Sequence, residues 1–323
     1  MRFPFNVYLL AFAGGFFITL ASLPFWRSVC LRADLVDDPG HRKIHDSPVP
    51  LAGGPAVLTG LLIALALGAM AVKLGVFGSH TADLQYGLRK RFLELSAIAF
   101  GALGMTALGA WDDKHELRPA VKFSGQLCFA LLVAASGARV TLFVHSLVFS
   151  YAITVLWILI VINAFNFMDN MNGLCAGLGA ISALCFGIIT ATAQQYLVAL
   201  IALVCAGALL GFLPYNFPRA TAFLGDSGSH LIGYLLAVVA ILPHFYSQKH
   251  PQALAVLKPL LVLAVPLGDL VWVVLLRWRL ARPFYVGDNN HLSHRLTRRG
   301  LSRTQAVALI WLLAAIVGSL AVM

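Results

Sequence analysis

Ten apolar segments succeed one another along this chain, each near the ~20 residues that a helix needs to cross a bilayer. Their approximate limits are 5–26, 51–74, 93–111, 119–137, 147–166, 173–191, 194–213, 228–246, 254–278 and 304–322. Lipid offers no partner to a bare peptide group, so a chain that enters it repeatedly closes its backbone hydrogen bonds within helices. Only 11% of the residues are charged and 60% are hydrophobic, with a mean hydropathy of +0.85, whereas about a quarter of a soluble chain is charged. The opening stretch from Phe3 to Trp26 carries no charge over 24 residues. A secretory signal has an apolar region of only about 7–15 residues, so this stretch reads as the first transmembrane helix. The expected fold is all-α and polytopic, with about ten transmembrane helices. No loop is long enough for a soluble domain, so one domain is expected over residues 1–323. The sixth and seventh segments are separated only by Gln194-Gln195, and Val140 to Ser150 leaves room for a short hairpin.

Basic residues concentrate in cytoplasmic loops. With the N-terminus outside, the inner loops hold Arg27, Arg32, Arg42, Lys43, Lys114, Arg118, Lys122, Arg219 and the seven arginines from Arg277 to Arg303, fifteen of the 23 Lys and Arg. The expectation is N-out and C-out, with one discordant outer cluster, Arg89-Lys90-Arg91. Carboxylates have little influence on topology, yet ten of the 13 fall in the same inner loops. Polar chemistry is therefore expected at the cytoplasmic face. The net charge of +10 is explained by the basic loops, and no nucleic-acid-binding pattern competes with that reading. The five cysteines, Cys30, Cys128, Cys175, Cys185 and Cys205, never approach C-x-x-C spacing and read as packing residues.

Five inner loops carry the unusual residues. VDDPGHRKIHDSPVPLAGG is too rich in proline and glycine for a continuous helix, and it offers Arg42, Lys43 and His45 to phosphate oxygens. GAWDDKHELRPAVKFSGQ sets Asp112 beside Asp113 at a helix end. Adjacent acids point in different directions, so they suit two separate partners, and Lys122 lies close enough in sequence to neutralise one of them. In NAFNFMDNMNGLCAG, Asn163, Asn166, Asp169, Asn170 and Asn172 interrupt two apolar segments. Asn166 and Asp169 are three apart and can share a helical face. FLGDSGSHLIGY nearly spells the nucleophile loop of a trypsin-like protease, but flanking membrane helices exclude that fold and no general base accompanies Ser227. Asp226 reads instead as part of a site for a metal-bound diphosphate. Magnesium is held by one or two carboxylates with phosphates and water, a helix start favours anions, and Gly225, Gly228 and Ser229 allow close approach. Finally, GDNNHLSHRLTRRG sets His291, His294 and Arg295 among arginines. It lacks the spacing of a zinc site and is suited to phosphates.

These five loops, in this order, resemble the polyprenyl-phosphate N-acetylhexosamine-1-phosphate transferases, glycosyltransferase family 4. The matching runs are DDPGHRKIHDSPVPLAGG, WDDKHELRP, NAFNFMDNMNGLCAG, FLGDSGS and HLSHRL, and their forms are closer to the WecA and TagO branch than to MraY. The resemblance implies transfer of an N-acetylhexosamine 1-phosphate, expected to be GlcNAc 1-phosphate, from a UDP-sugar to undecaprenyl phosphate. The products would be UMP and a diphosphate-linked lipid, in the first membrane step of a cell-envelope glycan pathway. It implies Mg²⁺ or Mn²⁺ as cofactor and the bacterial cytoplasmic (inner) membrane as location. The partners implied are the UDP-N-acetylhexosamine, the polyprenyl phosphate and the membrane, with a homodimer allowed. By position, Asp226 and Asp113 would serve the metal, and Asp112, Asp113, Lys122, His291, His294 and Arg295 the chemistry. Lys43, His45, Asn166, Asp169, Asn172, Asn216, Phe223, Gly225 and Ser229 would line the nucleotide site, with Phe223 stacked on uracil.

Two positions depart from the family pattern. DGxDG reads Asp169-Asn170-Met171-Asn172-Gly173, which puts an uncharged amide at Asn172, and HxHHR has Ser293 in place of one imidazole. A phosphate monoester is already mostly dianionic at neutral pH. Attack would therefore depend on positioning and charge neutralisation, with Asp112 or Asp113 removing a residual proton or tuning Lys122. A covalent aspartyl route stays open. So do two rival readings, an inactive family member and a secondary transporter using the intramembrane acid Asp269.

Overall fold

The computed structural model describes residues 3–38, 47–140, 144, 146–243, 257–283 and 290–323. Its elements are α1 (Phe5–Arg32), a two-residue antiparallel pair β1 (Val36–Asp37) and β2 (Val49–Pro50), α2 (Gly53–Lys73), α3 (Thr81–Lys90), α4 (Phe92–His115), α5 (Pro119–Ser136), α6 (Leu147–Met168), α7 (Leu174–Thr192), α8 (Tyr196–Asn216), α9 (Gly225–Ile241), α10 (Lys258–Val262), α11 (Ala264–Arg279), α12 (Leu292–Arg298) and α13 (Arg303–Val322). The chain is all-α apart from the β1–β2 pair. Among the described residues, eight helices are long and apolar enough to cross a membrane: α1, α2, α4, α5, α6, α7, α8 and α13.

The remaining expected spans differ for local reasons. The eighth is α9, apolar but only 17 residues long. The ninth is divided into α10 and α11 at Leu263. Pro266 has no N–H to return to the Val262 carbonyl one turn earlier, and the Ser182 hydroxyl of α7 approaches that carbonyl at 3.4 Å. The discordant basic cluster ends α3, a helix absent from the hydropathy reading because its composition is polar. There Arg91 Nη1 donates to the Leu242 carbonyl at 3.3 Å, capping the far end of α9. The region between α5 and α6 lies partly outside the described residues. At its edges, Val140 N–H donates to Thr154 Oγ1 at 2.9 Å and Ser150 Oγ to the Val140 carbonyl at 2.8 Å.

Helix α9 is the axis of the bundle. Every residue from Ser227 to Ala240 is buried, packed among α2, α4, α6, α7 and α8. Small residues let neighbouring backbones come this close, because lipid tails supply no hydrophobic drive between helices. A Cβ at Gly109 of α4 would lie 2.4 Å from the Asp226 carbonyl, and one at Gly54 of α2 would lie 2.4 Å from Ser227 Oγ. Gly207 and Gly211 of α8 meet α1 in the same way, where a Cβ would stand 2.0 Å from the Phe12 oxygen and 2.3 Å from the Phe16 oxygen. Four of the five cysteines, Cys30, Cys175, Cys185 and Cys205, are buried in this packing, whereas Cys128 is exposed on α5.

The close contact of α1 and α8 has a measurable cost when overfilled. Gly211→Ala is expected to destabilise the detergent-solubilised protein by about 1–3 kcal/mol, because backbone rather than a mobile side chain blocks the new methyl. Gly68→Ala, where a Cβ meets nothing within 4 Å, leaves the thermal midpoint unchanged or raised. Equal midpoints for the two variants would contradict this packing.

Candidate active site

Four helix ends converge at one end of the bundle. Asp112 and Asp113 come from the last turn of α4, Lys122 from the start of α5, Asn166 from the end of α6 and Asp226 from the start of α9. Lys122 Nζ sits between two carboxylates, paired with Asp112 Oδ2 and 2.7 Å from Asp226 Oδ2. Asn166 Nδ2 donates to the other Asp226 oxygen at 2.6 Å and to Ser229 Oγ at 3.0 Å. Asp112 Oδ1 accepts the Leu117 N–H at 2.8 Å, closing the turn in which Glu116 is left-handed.

Asp113 faces a different way from its neighbour. Its Oδ1 accepts the Asp226 N–H at 2.7 Å and its Oδ2 the Ser227 N–H at 3.1 Å, so it caps α9 from another helix. The Asp226 and Ser227 amides at the helix start that the sequence suggests as favourable for an anion are thus already taken by this carboxylate. This cap also changes the meaning of the glycines. Gly225 has φ +70°, and a Cβ there would stand 2.7 Å from Asp113 Oδ2, while a Cβ at Gly228 would meet the Leu224 side chain at 2.4 Å. Close approach here serves helix packing. Ser229 is buried against Asn166, and Ser227 is fully buried with its hydroxyl turned to the Leu224 carbonyl, which leaves no protease-like nucleophile.

Around this core the other expected residues divide. Asp169 caps the C-terminus of α6. Burial holds its carboxyl well above the usual carboxylate range, and the charges of Asp226 and Asp113 push the same way. Asn216 is buried, with its Oδ1 accepting the Gly173 N–H at 2.6 Å and its Nδ2 donating to the Ala222 carbonyl at 3.0 Å. It braces the loop between α8 and α9 and is thus placed as a support rather than an open nucleotide contact. Asn172 reaches the Pro218 carbonyl at 3.3 Å. Phe223 is half-buried on a segment whose backbone pairs with Pro50 and Gly53. Lys43 and His45 lie outside the described residues.

Helix α12 brings its three residues against α6 and α11. His291 Nδ1 lies 2.7 Å from Asp269 Oδ2, and the His291 ring meets Phe167 edge-on at 5.4 Å. Arg295 stacks over Trp272 at 4.5 Å. Burial pulls His294 below the ordinary imidazole value, aided by the charges of His291, Arg303 and Arg298 and opposed by Asp269. Of the two departures from the family pattern, Ser293 is tied to the turn that carries the other, its Oγ donating to Asn170 Oδ1 at 2.6 Å. Sequence reasoning missed a second polar layer one turn deeper. Asn163 Nδ2 donates to Gln126 Oε1 at 3.0 Å, and Gln126 Nε2 lies 3.4 Å from His230 Nε2. Its signal was spacing, because Gln126 and His230 each follow a site residue, Lys122 and Asp226, by four positions.

Four carboxylates, those of Asp112, Asp113, Asp169 and Asp226, converge here, and Lys122 is the one ammonium bonded to them among the described residues. Such a surplus of acidic oxygens fits a divalent cation. No cluster of three or more ligand side chains stands ready-made among the described residues, but magnesium needs only one or two carboxylates with phosphates and water. Both oxygens of Asp113 are engaged as a helix cap and both of Asp226 by Lys122 and Asn166, so an ion held here would share Asp226 with those partners, beside the Asp169 carboxyl. A buried acid with a raised pKa binds its proton more tightly folded than unfolded, so it disfavours the fold as pH rises past the unfolded value of about 3.9. In metal-free protein at pH 7, Asp169→Asn is therefore expected to raise the thermal midpoint by roughly 2–4 °C and to reduce the further rise on adding Mg²⁺. A lowered midpoint would contradict that account.

The profile of glycosyl transferase family 4 matches residues 95–244, which include Asp112, Asp113, Lys122, Asn166, Asp169 and Asp226. A probable undecaprenyl-phosphate N-acetylglucosaminyl 1-phosphate transferase of Bacillus subtilis is 29% identical over 94% of this chain and 81% of its own length. The decaprenyl-phosphate N-acetylglucosaminephosphotransferase of Mycobacterium leprae is 32% identical over 88% and 76%, respectively. The undecaprenyl-phosphate alpha-N-acetylglucosaminyl 1-phosphate transferase of Escherichia coli K12 is 26% identical over 95% and 81%. The chain, with its helix-end carboxylates gathered around one lysine, belongs to glycosyl transferase family 4.

Proposed function

We propose that this protein transfers GlcNAc 1-phosphate from UDP-GlcNAc to a membrane polyprenyl phosphate, releasing UMP at the cytoplasmic face of a bacterial inner membrane. The observation that carries the reading is the junction of Asp112, Asp113, Lys122, Asn166 and Asp226 from four helix ends, in a chain similar over most of its length to polyprenyl-phosphate GlcNAc-1-phosphate transferases.

The acceptor needs little help from a base, because its second ionisation lies near about pH 6. The protein's task is to bring two anions together and hold them in line. Lys122, bridged between Asp112 and Asp226, supplies a fixed positive charge at the junction. Asp113 fixes the start of α9 and so the direction of Asp226, while Asn166 holds the other Asp226 oxygen. Arg295, stacked on Trp272, keeps a guanidinium edge for phosphate. His294, held neutral, accepts or donates one hydrogen bond without adding charge. Asp226 and Asp169 would hold Mg²⁺, which would neutralise the donor diphosphate and polarise the phosphorus under attack. Asp112 and Asp113 each have both oxygens engaged, which favours direct attack by the lipid phosphate over an aspartyl intermediate. The transporter reading loses its support, because Asp269 is paired with His291 and is not an isolated intramembrane acid.

Purified protein supplied with UDP-GlcNAc, undecaprenyl phosphate and Mg²⁺ is expected to release UMP, and EDTA to stop it. Lys122→Ala is expected to slow release by about 10²–10³-fold, the scale of losing one preorganised charged donor. Failure of wild-type protein to release UMP under these conditions would remove the proposal. With radiolabelled donor and no lipid, the protein should stay unlabelled, and stable labelling at Asp112 or Asp113 would establish the covalent route instead.

A further inference from the structure

Asp269 belongs to none of the five loops, yet it stands beneath the histidine loop. It is 5% exposed, in the first half of α11. A carboxylate at such a position is costly unless each oxygen is used, and both are. Oδ1 accepts the Leu292 N–H at 2.6 Å, which starts α12, and Oδ2 lies 2.7 Å from His291 Nδ1. An ionised carboxylate only accepts, so the His291 proton belongs on Nδ1. One turn along, the same two helices meet again through Trp272 and Arg295. On the other side, Ser293 is tied to Asn170 of the turn between α6 and α7, and Phe167, next in sequence to Asn166, bounds the His291 ring. Nε2 is left as the one ring nitrogen of His291 with no hydrogen bond among the described residues.

We propose that Asp269 is a positioning residue for phosphate transfer, acting through His291: the buried carboxylate fixes the ring with its proton on Nδ1 and presents Nε2 to the phosphates of the bound substrate. The kinetic consequence rests on the transferase reading given above, whereas the Asp269–His291 dyad itself rests on geometry alone. An amide at position 269 can still accept the Leu292 N–H, but it turns an NH₂ toward Nδ1 and favours the opposite tautomer, with the backbone undisturbed. The same change at a triad carboxylate leaves geometry intact and costs activity through the wrong tautomer.

Two measurements on the full-length protein in detergent test this. Asp269→Asn is expected to lower the rate constant for UMP release by about 10–100-fold, the range for losing a carboxylate that orients a functional histidine, with the KM for UDP-GlcNAc changed less than about three-fold. His291→Gln should lose a similar factor, and the double variant should be no slower than His291→Gln alone, because the two residues act as one unit. Losses that multiply, or an unimpaired Asp269→Asn, would overturn the proposal. Independently of any activity, ¹⁵N-histidine labelling with long-range ¹H–¹⁵N correlation at pH 8.5 reads the proton position, with His291 assigned by its disappearance in His291→Gln. A proton on Nδ1 supports the dyad and its absence overturns it, even if Asp269→Asn does not fold. If wild-type protein releases no UMP, the transferase reading fails while the ¹⁵N signal still decides the dyad.

Discussion

Two backbone N–H groups at the start of α9 have no acceptor within their own helix, and the Asp113 carboxylate from α4 supplies it. The rest of the site follows from this interaction. Helix α9 is buried along nearly its whole length, and its first turn, with Asp226 half-buried, lies among other helix ends. A cap from within its own loop would leave α4 free to shift. A cap from α4 locks the two helices in register and sets Asp226 at the height of Lys122 on α5 and Asn166 on α6. Glycine is required at Gly109 and Gly225, because a methyl at either would meet backbone or the capping carboxylate itself.

The charge balance explains why such a site persists in so apolar a molecule. Burying several carboxylates near one ammonium is unfavourable unless each is bonded. Asp112, Asp113 and Asp226 each have both oxygens occupied. Asp169 adds a further stress, held toward its neutral form by burial and by Asp226 and Asp113. A divalent cation would relieve that stress, and in the proposed reaction the charge left uncompensated in the protein alone would favour a metal-bound diphosphate. Lys122 keeps the arrangement from being purely repulsive and, in the proposed reaction, would set its positive charge where the two anionic substrates meet.

Much of this was legible in the sequence because membrane helices are the strongest hydropathy signal and helix ends are where polar residues stand out. Asp112, Asp113, Lys122, Asn166 and Asp226 were each visible as interruptions of apolar runs, and their alternation between spans predicted one common end. The partners of those residues were hidden. Nothing in FLGDSGS says that its first amides belong to Asp113, so the glycines read as ligand contacts when they are helix contacts. Helix α3 escaped because a polar amphipathic helix leaves no trace in a hydropathy count, and the division at Leu263 escaped because α10 and α11 are both apolar. Asn216 was set at the nucleotide site by the resemblance alone, and nothing in its sequence neighbourhood signals that it holds two backbone groups instead.

The relation between Asp269 and the histidine loop shows how a membrane enzyme can hold a mobile-looking basic segment still. Helix α12 has only seven residues, too few to be stable alone. Its position is set by Asp269 and Trp272 of α11 and by Asn170 of the turn between α6 and α7. Each contact falls on the segment that also carries His291, Ser293 or Arg295, so docking the helix and aiming its side chains are one event. The exchange of an imidazole for Ser293 fits this scheme. A hydroxyl is short enough to bond Asn170 while fully buried, so the position serves the docking of α12, and in the proposed reaction contact with phosphate would fall to His291, His294 and Arg295.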